Sequence, residues 1–171
     1  MTGEEFTNKF AVKCLFHFTD RRNLESIRAH GLLRLAELGR RALPIAAPGG
    51  NRWSHEEDAR RGLDEYIHLC LLGEHPMEWA ARQSGHIQGT QFLRIDRRIL
   101  CVDGVRFASD VANKAGVPLL TLDEAAQSMD LEVIYSRTNW RDPAIQERRK
   151  VAKKYEALIP SDISLDLIGG L

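Results

Sequence analysis

The sequence lacks the features that mark several common classes of protein. No apolar run approaches the roughly 20 residues that a membrane helix needs, so we expect no membrane partner. The first five residues are polar and acidic, which is not typical of a signal peptide. The three cysteines, Cys14, Cys70 and Cys101, show no paired spacing, which favours reduced thiols and a cytoplasmic location.

The sequence also has no excess of either charge. Lysine plus arginine and aspartate plus glutamate each number 24, so the formal net charge is zero. This balance excludes a bulk polycation but leaves open a local basic face. The chain has 171 residues, 43% of them hydrophobic, with no repeat and no linker. We therefore predict one globular domain over residues 1–171.

Several motifs that mark catalytic or binding sites are missing. There is no Walker A sequence, no GxGxxG after a strand and no GxSxG elbow. There is no CxxC or HxxxH pair, and Cys14 and His17 would lie on opposite faces of a strand, so no metal site is expected. Apolar strand-like surroundings raise the pKa of a thiol, which favours packing over catalysis for the cysteines.

The elements that are present predict an α+β domain. Alternating or continuous apolar runs predict short strands, and cap and proline signals predict helices between them. Segment 131–136 fits either type. The expected strands are 14–19, 66–72, 91–95, 104–108, 156–159 and 163–168, and the expected helices are 23–33, 55–61, 76–82, 109–115, 122–128 and one opened by Asp142 and Pro143.

Two apolar runs carry polar groups that call for an explanation. Glu156 lies in an apolar run directly after a basic segment, and a carboxylate there must find a charged or hydrogen-bonding partner, or else lie on an edge strand facing solvent. In the first strand, alternation places His17 and Thr19 on one face and sends Phe16 and Phe18 to the core. His17 and Thr19 could then bind one ligand, or the histidine could bind a backbone carbonyl.

The two runs together resemble a known family. His17-Phe18-Thr19-Asp20, followed by Asn23-Leu24 and by Gly31-Leu32-Leu33, is similar to the N-terminal signature of the DarT toxins. Glu156, within Lys153-Lys154-Tyr155-Glu156 after a basic helix, resembles the catalytic glutamate of that family. The resemblance runs from about Leu15 to Ile168. The chain departs from the family's Tyr-Val-Pro-Phe-Tyr strand, since it has Tyr66-Ile67-His68-Leu69-Cys70.

The resemblance implies a fold and a reaction. It implies an ADP-ribosyltransferase-type split, mixed β-sheet with short flanking helices, and NAD as the substrate held in its cleft. It also implies transfer of ADP-ribose to a nucleobase of single-stranded DNA by a toxin or defence effector, with an antitoxin of the macrodomain hydrolase type as a partner. RNA or protein acceptors, or a catalytically silent module that binds NAD or nucleic acid, are the alternatives.

The resemblance also implies roles for single residues. Glu156 would be the catalytic carboxylate, and His17, Phe18 and Thr19 would bind NAD. Asn51 and Arg52, on a loop before a helix, would join the cofactor site. Arg52 would also be a catalytic residue that orients a phosphate or the acceptor base; Arg40 and Arg41 compete for the arginine role. Five basic residues could contact DNA phosphates or simply form a solvated helix face: Arg148, Arg149, Lys150, Lys153 and Lys154.

Overall fold

A computed structural model of the chain describes residues 1–48 and 52–171, with the backbone alone described at 52–54. In these ranges, none of the helices is long and apolar enough to cross a membrane. The helices are α1 (Gly3–Lys9), α2 (Leu24–His30), α3 (Leu35–Arg40), α4 (Arg52–Arg60), α5 (Pro76–Gln83), α6 (Leu122–Ser128), α7 (Glu132–Tyr135) and α8 (Pro143–Ala152). The strands are β1 (Cys14–Asp20), β2 (Ile67–Cys70), β3 (Thr90–Asp96), β4 (Arg106–Ala108), β5 (Glu156–Ile159) and β6 (Ile168–Gly169).

The strands form one sheet in the order β4-β5-β2-β1-β3-β6. β1 pairs with β3 along its full length, whereas β1 and β2 pair only at Phe16 and Cys70. Beyond that pair the two strands no longer share a backbone ladder, so the sheet is split at its centre. The α+β class is confirmed, but each pairing found in the described residues is antiparallel, so the expected mixture of strand directions is not seen.

One face of the sheet carries the main hydrophobic core. Leu15, Leu69, Leu93 and Phe107 are fully buried there, and α1 adds Phe6, whose ring centroid lies 5.0 Å from that of Phe107. A smaller cluster covers the other face near β4 and β5 and consists of Leu63, Ala108, Ala112 and Leu158. Apolar burial on both faces makes β5 an interior strand in which a charged residue needs partners.

The core lies on the opposite side of β1 from the one that the sequence suggests. Leu15, His17 and Thr19 do share a face, but on that face Leu15 and Thr19 are buried and His17 is partly buried. Phe16 and Phe18 are only partly buried, and Phe18 lies near His75, with ring centroids 6.0 Å apart. Alternation separates two faces of a strand, but only the elements that cover each face decide which becomes the core.

Two predicted elements are wrong. Segment 109–115 forms turns rather than a helix, because the side chain of Arg61 binds the carbonyls of Ala112 and Lys114, and the Ala112 amide binds Glu156. The strand expected at 163–168 is reduced to β6, preceded by a 3₁₀ turn over Leu165–Leu167.

Helix boundaries also differ at the N-terminal half of the chain. Helix α4 begins at Arg52, three residues before the capping box suggested, and α1 was not expected. α1 has a capping box of its own, in which the Thr2 hydroxyl accepts from the Glu5 amide and Glu5 accepts from the Thr2 amide.

Candidate active site

The split between β1 and β2 opens into a cleft of about 280 Å³. β1, β2 and the first residue of β5 form its floor, α4 contributes one wall, and the segment after α3 contributes another. Polar side chains from four different elements face this cleft: His17 and Thr19, His68, Asp58, and Glu156. The cleft therefore brings together buried and partly buried polar side chains that lie far apart in the sequence.

Glu156 is buried at the start of β5, with 6% of its surface exposed. β5 lies between β4 and β2, so the alternative of an edge strand facing solvent is wrong. Its Oε2 accepts from the backbone N–H of Ala112 at 3.0 Å and lies 3.3 Å from Nδ1 of His68. Burial alone would raise the pKa of Glu156, but the hydrogen bond and charge of His68 outweigh it, and the net shift is downward. Glu156 is thus held as a carboxylate.

His68, on β2, bridges two acceptors. Its Nδ1 faces Glu156, and its Nε2 lies 3.3 Å from the carbonyl oxygen of Leu63. Burial alone would lower the pKa of His68, but the hydrogen bond to Glu156 and the charges of Glu156 and Asp58 raise it above the ordinary histidine value. The raised pKa of His68 and the lowered pKa of Glu156 both favour an imidazolium–carboxylate pair.

His75 approaches the other oxygen of Glu156. It caps α5, where its Nδ1 accepts from the amide of Met77 at 3.2 Å. Its Nε2 lies 3.5 Å from Oε1 of Glu156, too far for a hydrogen bond. Burial lowers the pKa of His75, which favours the neutral ring, and because Nδ1 accepts from Met77 the proton of that ring is on Nε2.

His17 fills the gap where the ladder between β1 and β2 ends. Its Nδ1 lies 3.2 Å from the carbonyl oxygen of His68 and must donate, since a carbonyl only accepts. The backbone-carbonyl alternative is therefore what the structure shows for one nitrogen. Burial lowers the pKa of His17, so the ring is neutral and Nε2 keeps a lone pair for a ligand in the cleft.

Thr19 and Asn23 tie the end of β1 to the cleft wall. Asn23 donates from Nδ2 to the Thr19 hydroxyl at 3.0 Å and to the Ala47 carbonyl at 2.7 Å. The Ala47 amide donates back to Oδ1 of Asn23 at 2.9 Å. The Thr19 hydroxyl accepts in this network, so its own hydrogen can point to a ligand. Asn23 thus places both the wall and Thr19.

The arginine candidates separate into two groups. Arg40 and Arg41 are exposed and bind Glu37, and Arg40 also binds Glu65, so neither faces the cleft. Asn51 lies outside the described residues, and only the backbone of Arg52 is described, at the first position of α4. The predicted roles of Asn51 and Arg52 remain predictions.

The basic residues near α8 all have acidic partners. Arg149 is buried, stacks on Trp140 at 3.7 Å from the ring centroid and donates to the Val133 carbonyl, so it is structural. Arg148 holds Asp130 through two hydrogen bonds. Lys150, Lys153 and Lys154 lie 3.8, 3.0 and 3.9 Å from Glu147, Glu74 and Asp110. The solvated helix face fits this part of the chain better than a phosphate-binding stripe.

Three residues of the site were not expected as such. These are His68, His75 and Asp58, none of which the resemblance places in the site. In the described ranges no group of three or more His, Cys, Asp and Glu side chains could hold a metal ion. The available signal for His68 was a polar group inside an apolar strand, the same signal that indicated Glu156 and His17.

Comparisons with known proteins identify the family and the fold of this chain. The sequence model of the DarT family, described as ssDNA thymidine ADP-ribosyltransferase, matches residues 16–171. The structure is similar to Thermosipho africanus DarTG in complex with ADP-ribose, with a TM-score of 0.69 and 17% identity, over 91% of this chain and 42% of that chain. No match is found among curated protein sequences.

Thermus sp. 2.9 DarT has the same fold. Its complex with ADP-ribosylated ssDNA gives a TM-score of 0.65 and 20% identity, over 92% of this chain and 79% of that chain. Its complex with NAD+ gives a TM-score of 0.59 and 21% identity, over 92% of this chain and 79% of that chain. By contrast, this chain covers only 42% of the Thermosipho africanus DarTG chain. The structural likeness establishes the fold, and the family match covers nearly the whole sequence. The chain therefore belongs to the DarT family of ssDNA thymidine ADP-ribosyltransferases.

Proposed function

We propose that this chain transfers ADP-ribose from NAD to a nucleobase of single-stranded DNA, with Glu156 as the catalytic carboxylate. The observation that carries the proposal is a buried, ionised glutamate that opens onto the split of the sheet and is surrounded by donors. Membership of the DarT family supports NAD as the donor and single-stranded DNA as the acceptor.

The reaction matches the residue types in the cleft. The bond between nicotinamide and C1 of the ribose breaks, nicotinamide leaves as a neutral molecule, and the ribose gains oxocarbenium character. A fixed carboxylate beside the ribose stabilises that positive charge and can accept a hydrogen bond from a ribose hydroxyl. The acceptor base forms the new bond at C1 and loses a proton.

The remaining cleft residues position the donor. Nε2 of His17 accepts from a ribose hydroxyl, and the hydroxyl of Thr19 donates to the nicotinamide end. Phe18 provides an aromatic surface at the cleft, next to the ring of His75. Asn51 and Arg52 complete the cofactor site, and Arg52 orients a phosphate or the acceptor base. The support for these roles is the cleft geometry for the first three and the sequence resemblance for the last two.

The biological setting is inferred from the same family. We place the protein in the cytoplasm, where its three free cysteines remain thiols. It acts there as a toxin or defence effector. Its partner is an antitoxin of the macrodomain hydrolase type that removes ADP-ribose, in keeping with the similarity to Thermosipho africanus DarTG.

The first experiment compares wild type with Glu156→Gln, which keeps the volume and one acceptor oxygen but removes the charge. Each protein is incubated with labelled NAD and with single-stranded DNA, RNA or a protein mixture. We expect label on DNA, reduced by about 100- to 1,000-fold in Glu156→Gln, with NAD binding retained. The matched control is Glu147→Gln, since Glu147 is 75% exposed on α8 and should leave turnover unchanged.

Other outcomes would contradict parts of the proposal. Label on RNA or protein alone would retain the mechanism and replace the acceptor. NAD binding with no transfer to any acceptor would favour a silent binding module. Unchanged turnover in Glu156→Gln would remove Glu156 from the catalytic role.

A further inference from the structure

The hydrogen bonds of His68 require its charged form. Nε2 faces the carbonyl oxygen of Leu63 and Nδ1 faces a carboxylate oxygen of Glu156, each at 3.3 Å. Both oxygens only accept, so a neutral ring with one proton can satisfy only one of them. The imidazolium form satisfies both. An oxygen acceptor opposite each ring nitrogen therefore favours the imidazolium on geometry alone.

The charged ring divides the two oxygens of Glu156 between different tasks. Oε2 is occupied by the Ala112 amide and by Nδ1 of His68. Oε1 lies 3.5 Å from Nε2 of the neutral ring of His75, too far for a hydrogen bond. Oε1 is therefore the oxygen that can accept from a ribose hydroxyl. A rotation of the carboxylate would break two bonds to Oε2, so the donors fix the direction of the free oxygen.

The charges around His68 favour the same state. Glu156 faces it from β5 and Asp58 faces it from α4, so two carboxylates flank one imidazolium. His17 on β1 and His75 before α5 are also nearby, and burial lowers the pKa of each, so neither adds a competing positive charge near neutral pH. His55 on α4 interacts with Asp58, and Cys70 on β2, whose thiol pKa is raised by burial, lies near Glu156. Burial raises the pKa of Asp58, so without His68 this carboxyl and Glu156 would both lose a cation that stabilises their charged forms.

We propose that His68 is a positioning residue: as an imidazolium it keeps Glu156 ionised and orients Oε1 toward the ribose of NAD. This inference rests on the proposed role of Glu156 as the catalytic carboxylate. It predicts that activity depends on a protonated histidine, which is unusual for a reaction whose key group is a carboxylate.

The pH dependence follows in sign from the two shifts. The raised pKa of His68 means that the active imidazolium is present below that pKa and is lost as pH rises through it. The lowered pKa of Glu156 means that the carboxylate persists to more acid pH than an ordinary glutamate. The plateau of kcat therefore runs from below the usual glutamate range to above the usual histidine range, and its alkaline limit belongs to His68.

The test compares wild type with His68→Asn and His68→Leu. The asparagine amide can occupy the place of Nδ1 and donate to Glu156 but carries no charge. Leucine removes both the hydrogen-bond donor and the positive charge. kcat and KM for NAD are measured on a single-stranded DNA acceptor from about pH 5 to about pH 9.5, a range that brackets histidine titration. His30→Asn, at an exposed position at the end of α2, is the matched control.

The expected result has three parts. His68→Asn lowers kcat by about 10- to 100-fold, because the hydrogen bond to Glu156 is no longer assisted by a charge. His68→Leu lowers kcat further, because that hydrogen bond is lost altogether. KM for NAD changes by less than about threefold in His68→Asn. The alkaline limit of the wild-type profile disappears in His68→Asn. A parallel drop at every pH with the alkaline limit intact would overturn the proposal, as would a rise in kcat.

A second measurement does not depend on turnover. NMR titration of the histidine ring C–H signals gives the pKa of His68 in wild type and in Glu156→Gln. We expect a value above that of free histidine in wild type and a fall in Glu156→Gln. A wild-type value at or below that of free histidine overturns the proposal. If no acceptor is labelled but the NMR result is as expected, the proposed function is wrong and the ion pair between His68 and Glu156 is still supported.

Discussion

A neutral and a charged histidine lie side by side at the split of the sheet, and their roles follow from what each nitrogen faces. His17 donates from Nδ1 to a carbonyl and has a pKa lowered by burial, so its Nε2 remains a lone-pair acceptor. His68 faces an acceptor at each nitrogen and is held as a cation by Glu156. The same residue type therefore supplies an acceptor for the substrate at one position and a fixed charge at the other.

The acceptor role of His17 can be tested with a pair of substitutions. His17→Asn keeps a donor near the place of Nδ1 and removes Nε2, whereas His17→Leu removes both. We expect KM for NAD to rise by about tenfold or more in each, because the ligand contact is lost in both. Only His17→Leu should also lower the free energy of unfolding, by about 1–3 kcal/mol, since the His68 carbonyl loses its partner. Steady-state kinetics and urea unfolding measure the two quantities.

The pH dependence of KM gives an independent check on His17. Because its pKa is lowered, Nε2 is an acceptor throughout the neutral range and becomes a donor only as pH falls through that pKa. KM for wild type should therefore be constant at neutral pH and rise in acid. A KM that rises with increasing pH, or a normal KM in His17→Asn, would contradict the assignment.

Among the helices and strands, the turn after α2 shows how one backbone position fixes a cleft wall. Gly31 ends α2 with φ at 77°, and the next residue, Leu32, exchanges two backbone hydrogen bonds with Ile163. A Cβ on Gly31 would lie 2.4 Å from the Ile163 carbonyl oxygen. Position 31 therefore excludes a side chain for two reasons, a left-handed φ and a close backbone contact.

Gly31→Ala should be strongly destabilising. A left-handed φ alone costs about 1–2 kcal/mol for alanine, and the contact with Ile163 must also be relieved, so we expect a loss of about 3 kcal/mol or more in the free energy of unfolding. Gly85→Ala is the matched control, since φ there is 76° and the site is open. Its loss should be limited to about 1–2 kcal/mol. Equal losses in the two variants, measured by urea unfolding, would show that the Ile163 contact has no effect.

Local signals predicted the strands and some of the site, and tertiary contacts decided the rest. Apolar runs predicted β1 and β5. Within these runs His17 and Glu156 stood out, because a buried polar side chain is costly unless it has a partner. His75 could not be assigned, because its role depends on the register that brings α5 beside β5. Segment 109–115 was misassigned because its backbone groups bind Arg61 and Glu156 instead of each other.

At the scale of the whole molecule, zero net charge limits how strongly a nucleic acid can be attracted. The five basic residues of the α8 region each lie within 4 Å of a carboxylate or donate to one. Each would have to release that partner to bind a phosphate. Affinity for single-stranded DNA should therefore depend mainly on contacts of the base and the ribose in the cleft, with few phosphate contacts.

The salt dependence of binding measures this directly. For single strands, log K falls with log salt by about 0.7 per phosphate neutralised. We expect a slope shallower than about −2 for the catalytically weakened Glu156→Gln, which leaves the DNA unmodified during the measurement. Fluorescence anisotropy with a labelled single-stranded DNA from about 50 to about 200 mM salt gives the slope.

Lys153→Gln in the same background identifies any contribution of the basic helix. Lys153 lies 3.0 Å from Glu74, so removing its charge should change affinity by less than about threefold and leave the slope unchanged. A slope steeper than about −4 that becomes shallower by about 0.7 in Lys153→Gln would show instead that this face binds phosphates. In that case the acidic partners would be displaced on binding, and α8 would form part of the DNA-binding surface.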